Sequence, residues 1–155
     1  MKSIETAIAS TKQQVDDALK VRWQVFGGEL GLLDEGQPVV QREVDCFDTL
    51  ESTVHFVSYA DGAPVATARL LLPNVDIARM NGRRVGIDLE FKFDLEGLAG
   101  PGIVLAETTR LCVLRSHRGS QALRGLYAAM YRESLKRGIS HWVALANTEP
   151  DSVQD

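Results

Sequence analysis

The sequence of 155 residues predicts one α/β domain with a mixed β-sheet and helices on both of its faces. Residues 53–60 and 64–72 are apolar, β-branched runs on either side of Asp61-Gly62, which is typical of an antiparallel hairpin. Residues 103–114 and 141–147 are strand-like runs separated by a helical stretch, and a crossover of this length makes two strands parallel. The sheet is therefore expected to be mostly antiparallel and twisted, with one parallel pair.

The N-terminal part predicts a strand, a helix and a long loop. Residues 4–8 alternate apolar and polar side chains, the pattern of a half-buried strand. Ser10 and Gln13 have the spacing of a capping box, and apolar residues then recur at helical intervals until Gly27-Gly28 ends the pattern. Residues 29–50 lose this periodicity and are rich in Gly, Pro, Asp and Glu, which favours an ordered loop or lid.

The C-terminal half predicts a flap, a helix and a last strand. Residues 87–94 alternate apolar and acidic or basic side chains inside an irregular region, which favours an edge strand or an extended flap. A helix is expected over 120–137, with Gly138 at its C′ position. Residues 141–147 form an apolar run that suggests a strand buried on both faces, and 148–155 begin a helix that stops short, so a domain truncated at its C-terminus is expected. The residues expected to face inward from the helix are Ala122, Leu123, Leu126, Tyr127, Met130 and Leu135.

Composition excludes several classes of function. A net charge of −4 and a pI near 5.4 provide no basic stripe for nucleic acid, although 115–137 hold enough Arg and Lys for a local patch facing a phosphate-bearing or acidic partner. No apolar run approaches the ~18 residues of a membrane span, and the N-terminus is unlike a signal peptide, so a cytoplasmic protein is expected. Cys46 and Cys112 lack zinc or redox spacing and are expected to be reduced and buried, and His55 and His141 are isolated, so no metal site is predicted.

Glu107 and Arg110 are the acid and base that the predicted strand 103–114 carries. Residues three apart in an unbroken strand point to opposite faces, so these two share a site only if a β-bulge lies between Leu105 and Arg110. A bulge would also free backbone N–H groups, which can stabilise the oxyanion of an acyl transfer while Glu107 takes a proton from an amine. Without a bulge, each side chain pairs separately with a neighbour.

Two further groups of charged residues are candidates for a site. Arg69 lies inside the second hairpin strand and needs a carboxylate partner, for which Asp45 or Asp48 is proposed. The basic turn, residues 115–121, combines positive charge, small residues and a following helix N-terminus, which is typical of an anion site. His117 in this turn is interpreted as a surface residue, because no Ser or Cys nucleophile accompanies it in a known motif.

The order of these elements resembles the GNAT acyltransferase superfamily over roughly residues 21–149. Within the superfamily, four motifs resemble the acyl-homoserine lactone (autoinducer) synthases and the bacterial N-acyl amino acid synthases. These motifs are Arg22 with Phe26, Asp45-Cys46-Phe47-Asp48, Thr67 to Pro73 and Ala106 to Arg110. The resemblance implies that the parallel pair around 103–114 and 141–147 splays apart.

The resemblance also implies the chemistry and the roles of individual residues. It implies transfer of a fatty acyl group from an acyl carrier protein or acyl-CoA thioester to a small amine, either an amino acid or S-adenosylmethionine, with no permanently bound cofactor. A homodimer is a further possibility. Implied catalytic residues are Glu107 and Arg110, implied acceptor-binding residues are Arg22, Phe26, Asp45, Asp48 and Arg69, and implied donor-binding residues are Leu111, Val113, Arg115, Arg118, Gly119 and Ser120.

Two departures from the family pattern direct the choice of substrates. Gln121 stands where the superfamily turn has its first glycine, and its side chain would crowd the pyrophosphate of coenzyme A, which favours a carrier protein as donor. Gly31-Leu32-Leu33 replaces a segment in which autoinducer synthases tend to carry a Trp, which favours an amino acid over S-adenosylmethionine. The sequence therefore favours an N-acyl amino acid synthase, with an autoinducer synthase and an inactive acyl- or partner-binding module, using a strand edge at 141–146, as alternatives.

Overall fold

The computed structural model describes residues 3–33 and 40–146, so the helix expected over 148–155 lies outside the described residues. The helices are α1 (Lys12–Arg22), α2 (Val75–Met80) and α3 (Gln121–Lys136), with a π-helix at Trp23–Glu29 and 3-10 turns at Asp88–Phe91 and Arg115–His117. The strands are β1 (Ile4–Ile8), β2 (Thr53–Ala60), β3 (Ala63–Leu71), β4 (Leu105–Val113) and β5 (His141–Val143). Among the described residues, no helix is long and apolar enough to span a bilayer.

The five strands form one sheet in the order β1-β2-β3-β4-β5. Neighbouring strands are antiparallel except β4 and β5, which are parallel, so the predicted mixed sheet is confirmed. Helix α3 covers one face through Leu126 and Met130, and α1 covers the other through Val21 against Cys112. Strand β5 pairs only with Leu105–Glu107, so within the described residues the outer edge of β4 beyond Glu107 has no strand beside it.

The hairpin and the first helix follow local sequence rules closely. Asp61 and Gly62 have φ angles of 50° and 82°, the left-handed conformations that a two-residue hairpin turn requires. The capping box of α1 lies one residue later than predicted: Thr11 Oγ1 accepts the Gln14 N–H at 3.2 Å, and Gln14 Oε1 accepts the Thr11 N–H at 3.2 Å. Gly27-Gly28 does not end the helical path, because the π-helix continues to Glu29. The described residues 40–52 contain no helix or strand, as a loop requires.

The expected strand or flap over 87–94 is wrong. The segment contains a 3-10 turn, in which the N–H groups of Glu90 and Lys92 bond carbonyl oxygens of the turn at 3.3 and 3.1 Å and the Leu89 N–H bonds Glu107 Oε2 at 2.8 Å. These donors are consequently not available to a neighbouring strand. The alternating pattern arises instead because Ile87 and Leu89 enter a small core beneath the turn.

Helix α3 is confirmed within one residue at each end, with Gly138 in a left-handed conformation after it. Its buried face is narrower than predicted: Leu123, Tyr127 and Leu135 are 41%, 46% and 59% exposed. The face that touches the sheet is instead built from small and medium side chains, namely Ala122, Leu126, Ala129, Met130 and Ser134, together with the buried Glu133. Ala122, Leu126 and Met130 are buried as predicted, and small residues take other inward positions because α3 approaches β1 closely.

Two expectations about burial are wrong. Strand β5 is a short edge strand and is not buried on both faces, since His141 and Leu145 are exposed. An edge strand is reached by solvent because the described residues provide no neighbour on its outer side. Cys46 is exposed in the loop before β2, whereas Cys112 is buried, and both thiols are free.

Gly125 provides a test of the close approach of α3 to β1. A Cβ at this position would lie 2.2 Å from Thr6 Oγ1, which itself hydrogen-bonds Ser58 Oγ at 2.7 Å. Gly125→Ala should therefore lower the free energy of unfolding by about 1 kcal/mol or more, although Ala is normally the better helix former. In a Thr6→Ala background the same change should cost about 1 to 2 kcal/mol less. Denaturant unfolding of the four proteins measures this coupling, and additive effects would contradict the packing described.

Candidate functional site

A β-bulge interrupts β4 at Arg110. Thr67 pairs with Cys112 and Arg69 pairs with Thr109, so the single residue Ala68 faces two residues of β4. Arg110 has a φ of 54°, which is unusual for a residue other than glycine and marks the bulge. The bulge lies at Arg110 itself and not before it. Because it shifts the alternation by one, Glu107, Thr109 and Cys112 lie on one face of the sheet.

On that face the bulge brings Arg110 into a set of six charged side chains, called here the charge cluster. Its members are Arg22, Arg69 and Arg110 with Glu43, Asp45 and Asp48. The formal charges sum to zero, and every guanidinium contacts two of the carboxylates. The cluster links α1, β3 and β4 to the loop 40–52, so it fixes that loop on the sheet.

The contacts in the interior of the charge cluster are bidentate or shared. Arg22 donates from Nη1 and Nη2 to Asp48 at 2.7 and 3.0 Å, and its Nε donates to Glu43. Arg69 donates to Asp45 at 2.6 and 2.9 Å and to Asp48 at 2.7 Å. Both Asp45 and Asp48 are thus partners of Arg69, as the sequence suggested.

The interior of the cluster is held in the charged state. Arg22 and Arg69 are 0% exposed and Asp48 is 7% exposed. Burial favours the neutral form of Asp48, but the hydrogen bonds and the positive charge of Arg22, with the Asp45 N–H and Arg69, lower its pKa to about 2. His55, the cross-strand neighbour of Arg69, approaches the Asp48 carbonyl oxygen through Nε2 at 3.3 Å, and burial lowers the pKa of this imidazole.

The charge cluster reaches the surface at one end only. The side chains of Arg110 and Asp45 are 28% and 23% exposed, and they bond to each other at 2.9 Å. Arg110 Nε also donates to both oxygens of Glu43, at 3.1 and 3.2 Å. This end therefore presents one guanidinium and one carboxylate to solvent, on a rigid base.

Glu107 lies on the same face but has its own partner. It is 3% exposed, and its Oε2 accepts the Leu89 N–H at 2.8 Å. Burial raises the pKa of this carboxyl group, and the Leu89 hydrogen bond only partly opposes the rise. Among the described hydrogen bonds none joins Glu107 to Arg110. The two residues share a face of the sheet without direct contact, and their catalytic role stays a prediction.

A cavity of about 310 Å³, called here the β4 cavity, runs along the strand edge that β5 leaves open. Its lining residues are Val25, Phe26, Leu30, Leu111, Cys112, Val113, Arg118 and Leu123. Three consecutive residues of β4 line it, and consecutive residues point to opposite faces, so the cavity lies at the edge of the strand. The walls are apolar apart from Arg118, which suits an alkyl or pantetheine chain.

The β4 cavity brings together several residues that the sequence assigned to the donor, namely Leu111, Val113 and Arg118. Phe26, which the resemblance placed with the acceptor-binding residues, also lines this cavity. It lies in the π-helix and packs against the core cluster of Val21, Val25 and Cys112. A role of Phe26 in acceptor binding stays a prediction.

The basic turn begins at one end of the β4 cavity. Gly119 has a φ of 78°, and Ser120 caps α3 by accepting the Ala122 N–H at 3.2 Å. Arg118 bonds Glu29 of the π-helix at 2.8 Å, so this guanidinium already has a carboxylate partner. Arg115 is exposed, and its backbone N–H also bonds Glu29.

Sequence reasoning missed Glu29 and Glu43, the carboxylates that hold the basic turn and Arg110. Glu43 alternates with Asp45 along the loop, and this spacing was a usable signal, because it places two carboxylates on one side of an extended segment. Glu29 provided no such signal, since its partners lie 86 and 89 residues further along the chain.

Comparison with known proteins places the chain in a family. A model of the family described as an acetyltransferase (GNAT) domain matches residues 21–128. The chain belongs to the GNAT acetyltransferase family. It is therefore an acyltransferase, and its mixed sheet with a parallel β4-β5 pair is the fold of this family. No curated protein sequence matches this GNAT domain.

Solved structures support the GNAT fold at low sequence identity. FeeM, an N-acyl amino acid synthase from uncultured soil microbes, has a TM-score of 0.67 and 12% identity over 96% of this chain and 73% of its own. LasI, an AHL synthase, has a TM-score of 0.63 and 20% identity over 93% of this chain and 72% of its own. A predicted acetyltransferase from Clostridium acetobutylicum, solved with acetyl-CoA, has a TM-score of 0.56 and 12% identity over 96% of this chain and 82% of its own.

Asp48→Asn should lower the free energy of unfolding by about 3 to 5 kcal/mol at pH 7, because it leaves Arg22 and Arg69 short of a buried counter-charge. Glu96→Gln is the matched control: it breaks the exposed pair with Arg84 and should cost about 1 kcal/mol or less. Urea unfolding of the three proteins measures both values. Equal losses in the two variants would contradict the importance of the buried cluster.

The lowered pKa of Asp48 also predicts that the contribution of this residue to stability depends on pH. The pKa of Asp48 is depressed in the folded state to about 2 from an ordinary value of 3.8, so its stabilisation is complete above about pH 4 and lost as the pH falls through 2. The stability difference between the native chain and Asp48→Asn should accordingly shrink by about 2 kcal/mol between pH 4 and pH 2. A difference that stays constant over this range would show that Asp48 is not ionised preferentially in the fold.

Proposed function

We propose that this GNAT acyltransferase moves a fatty acyl group from the thioester of an acyl carrier protein to the α-amine of an amino acid. The observation that carries the proposal is the exposed end of the charge cluster, where Arg110 and Asp45 stand side by side. A free amino acid carries a carboxylate and an ammonium group two bonds apart. A paired guanidinium and carboxylate are the complementary groups for such a zwitterion.

The buried part of the cluster supports this role by holding the recognition groups in place. Arg110 is bonded to Glu43 and Asp45, and Asp45 is bonded in turn to Arg69. An incoming carboxylate can exchange for one of the bonds of Arg110 while the others keep the side chain oriented. Such preorganisation lowers the entropic cost of binding a small acceptor.

The β4 cavity supplies the matching place for the donor. Its apolar walls suit the pantetheine arm and the acyl chain, and it lies along the strand edge next to the bulge. Backbone N–H groups on an edge without a partner strand can donate to the thioester carbonyl oxygen. Cys112 also lines the cavity, but burial raises the pKa of its thiol to about 12, so it is a poor nucleophile and direct attack by the amine is the favoured route.

In the proposed reaction the ammonium group of the acceptor first releases one proton to water, because only the neutral amine has the lone pair that attacks the thioester carbonyl carbon. Glu107 accepts the second proton that the nitrogen loses, directly or through water, as the new C–N bond forms. The C–S bond then breaks, and the proton on Glu107 passes to the departing sulfur, which leaves an amide and a free pantetheine thiol. The raised pKa of Glu107 suits a base of this kind, because a carboxylate with a higher pKa holds an abstracted proton more firmly.

An autoinducer synthase is the second candidate, and the similarity in fold to LasI is the observation that favours it. Such an enzyme would use S-adenosylmethionine as acceptor, which presents the same amino acid zwitterion to the charge cluster. The two candidates therefore differ in the acceptor and not in the donor. Product identity separates them, since only the second yields a lactone.

The direct test incubates the protein with a series of acyl carrier protein thioesters and pooled amino acids, followed by mass spectrometry. We expect an N-acyl amino acid and one free thiol per acyl group consumed. A parallel reaction contains S-adenosylmethionine in place of the pool, and a lactone formed only there would favour the autoinducer synthase. Intact thioester and no amide in every reaction would refute catalysis, and binding of the acyl carrier protein alone would then indicate a binding module.

The proposed role of Glu107 predicts a selective loss of turnover. Glu107→Gln should lower kcat by about 100-fold or more and change KM for the acceptor by less than threefold, because the amide cannot accept the proton. Glu133→Gln is the matched control, since Glu133 is a similarly buried glutamate on the opposite face, bonded to Arg137. Steady-state rates of both variants decide the matter, and equal effects on kcat would assign Glu107 a structural role only.

A further inference from the structure

Glu29, the last residue of the π-helix, lies on the basic turn. Its Oε1 accepts a hydrogen bond from the Arg115 backbone N–H at 2.8 Å, and its Oε2 accepts a hydrogen bond from Arg118 Nη2 at 2.8 Å. A single carboxylate therefore uses a backbone N–H and a guanidinium together, which is the combination that binds phosphate oxygens in proteins. The Glu29 carboxylate therefore occupies the place at this turn where an anionic ligand would bind.

The position of Glu29 relative to the β4 cavity gives this contact its importance. Arg118 lines the cavity, and so do Leu30, which follows Glu29 in the chain, and Phe26, three residues before it. Arg118 is also oriented by its Nε bond to the Val113 carbonyl oxygen at 3.4 Å. Any thioester donor that extends its arm into the cavity past this turn must pass the Glu29–Arg118 pair.

We propose that Glu29 is a specificity-determining residue for the acyl donor, which disfavours free coenzyme A relative to a carrier-bound phosphopantetheine. The proposal rests on the proposed function, because it takes the β4 cavity as the donor site. A phosphate that reaches the turn must displace the carboxylate or lie beside it, and this repulsion grows with the negative charge of the donor. Coenzyme A brings a diphosphate and a ribose phosphate, whereas a carrier-bound arm brings one phosphodiester.

The exposure of the Glu29–Arg118 pair sets how strongly the carboxylate can weaken the binding of coenzyme A. The side chains of Glu29 and Arg118 are 20% and 47% exposed, so water and salt screen the pair considerably. Removal of the carboxylate should therefore strengthen binding of coenzyme A by about three- to tenfold at low salt. For a probe with one phosphate the gain should be smaller, and for a probe without phosphate it should be absent.

The experiment measures dissociation constants by isothermal titration calorimetry for coenzyme A, 4′-phosphopantetheine and pantetheine, with the native chain and Glu29→Gln. We expect Glu29→Gln to bind coenzyme A more tightly by the stated factor, phosphopantetheine by less and pantetheine equally. Glu96→Gln removes one negative charge from the exposed pair with Arg84 and should leave all three constants within twofold of the native values. Glu29→Ala is a second variant that should reproduce the gain.

The remaining outcomes overturn the proposal. Unchanged or weaker binding of coenzyme A by folded Glu29→Gln or Glu29→Ala would show that the carboxylate does not compete. Equal gains for all three probes would show a change in the cavity and not in charge. Absence of coenzyme A binding in every protein would also count against it, while the transfer assay with carrier thioesters still judges the proposed function separately.

Discussion

Two guanidinium groups without solvent contact set the main constraint on this protein. Arg22 on α1 and Arg69 on β3 are fully buried, and a guanidinium cannot escape its charge by losing a proton. Each must therefore meet carboxylates, and all of these come from one short loop segment, residues 43–48. The need to neutralise the two arginines consequently fixes an otherwise irregular loop on the sheet, and the loop in turn orients Arg110 at the surface.

The bulge at Arg110 links this constraint to the proposed active site. Without the extra residue, the side chains before and after it would alternate between opposite faces, and Arg110 would not meet Asp45 beside Arg69. The same interruption lies on the strand edge that β5 leaves open, next to the β4 cavity. One irregularity in β4 thus lies beside both the charge cluster, the proposed acceptor site, and the apolar β4 cavity, the proposed donor site.

Local rules explain how much of the fold was predictable from the sequence. The turn dipeptide Asp61-Gly62 predicts the hairpin from neighbouring residues alone. The helical crossover from β4 to β5 predicts the parallel pair in the same way. Parity within β4 made a shared site for Glu107 and Arg110 conditional on a bulge, and the strand does contain one at Arg110. The sequence failed where groups distant in the chain intervene: Glu107 in β4 binds the Leu89 N–H, and Gly125 lets α3 approach β1 closely.

The sequence predicted the pairing of Arg69 but not every carboxylate of the site. Arg69 inside a strand required an acid, and Asp45 and Asp48 were the candidates at hand. Glu29 could not be found this way, because nothing near it in the sequence marks the turn that it contacts. The π-helix that follows α1 and carries Phe26 to the β4 cavity also had no signal in the sequence.

The central claim is that Arg110 recognises the carboxylate of an amino acid acceptor, and a pair of substrates tests it most directly. The values of kcat/KM are measured for the best amino acid and for its carboxamide, with the native chain and with Arg110→Gln. The account predicts that the native chain prefers the acid by about tenfold or more and that Arg110→Gln loses this preference. An unchanged preference in Arg110→Gln would contradict the account.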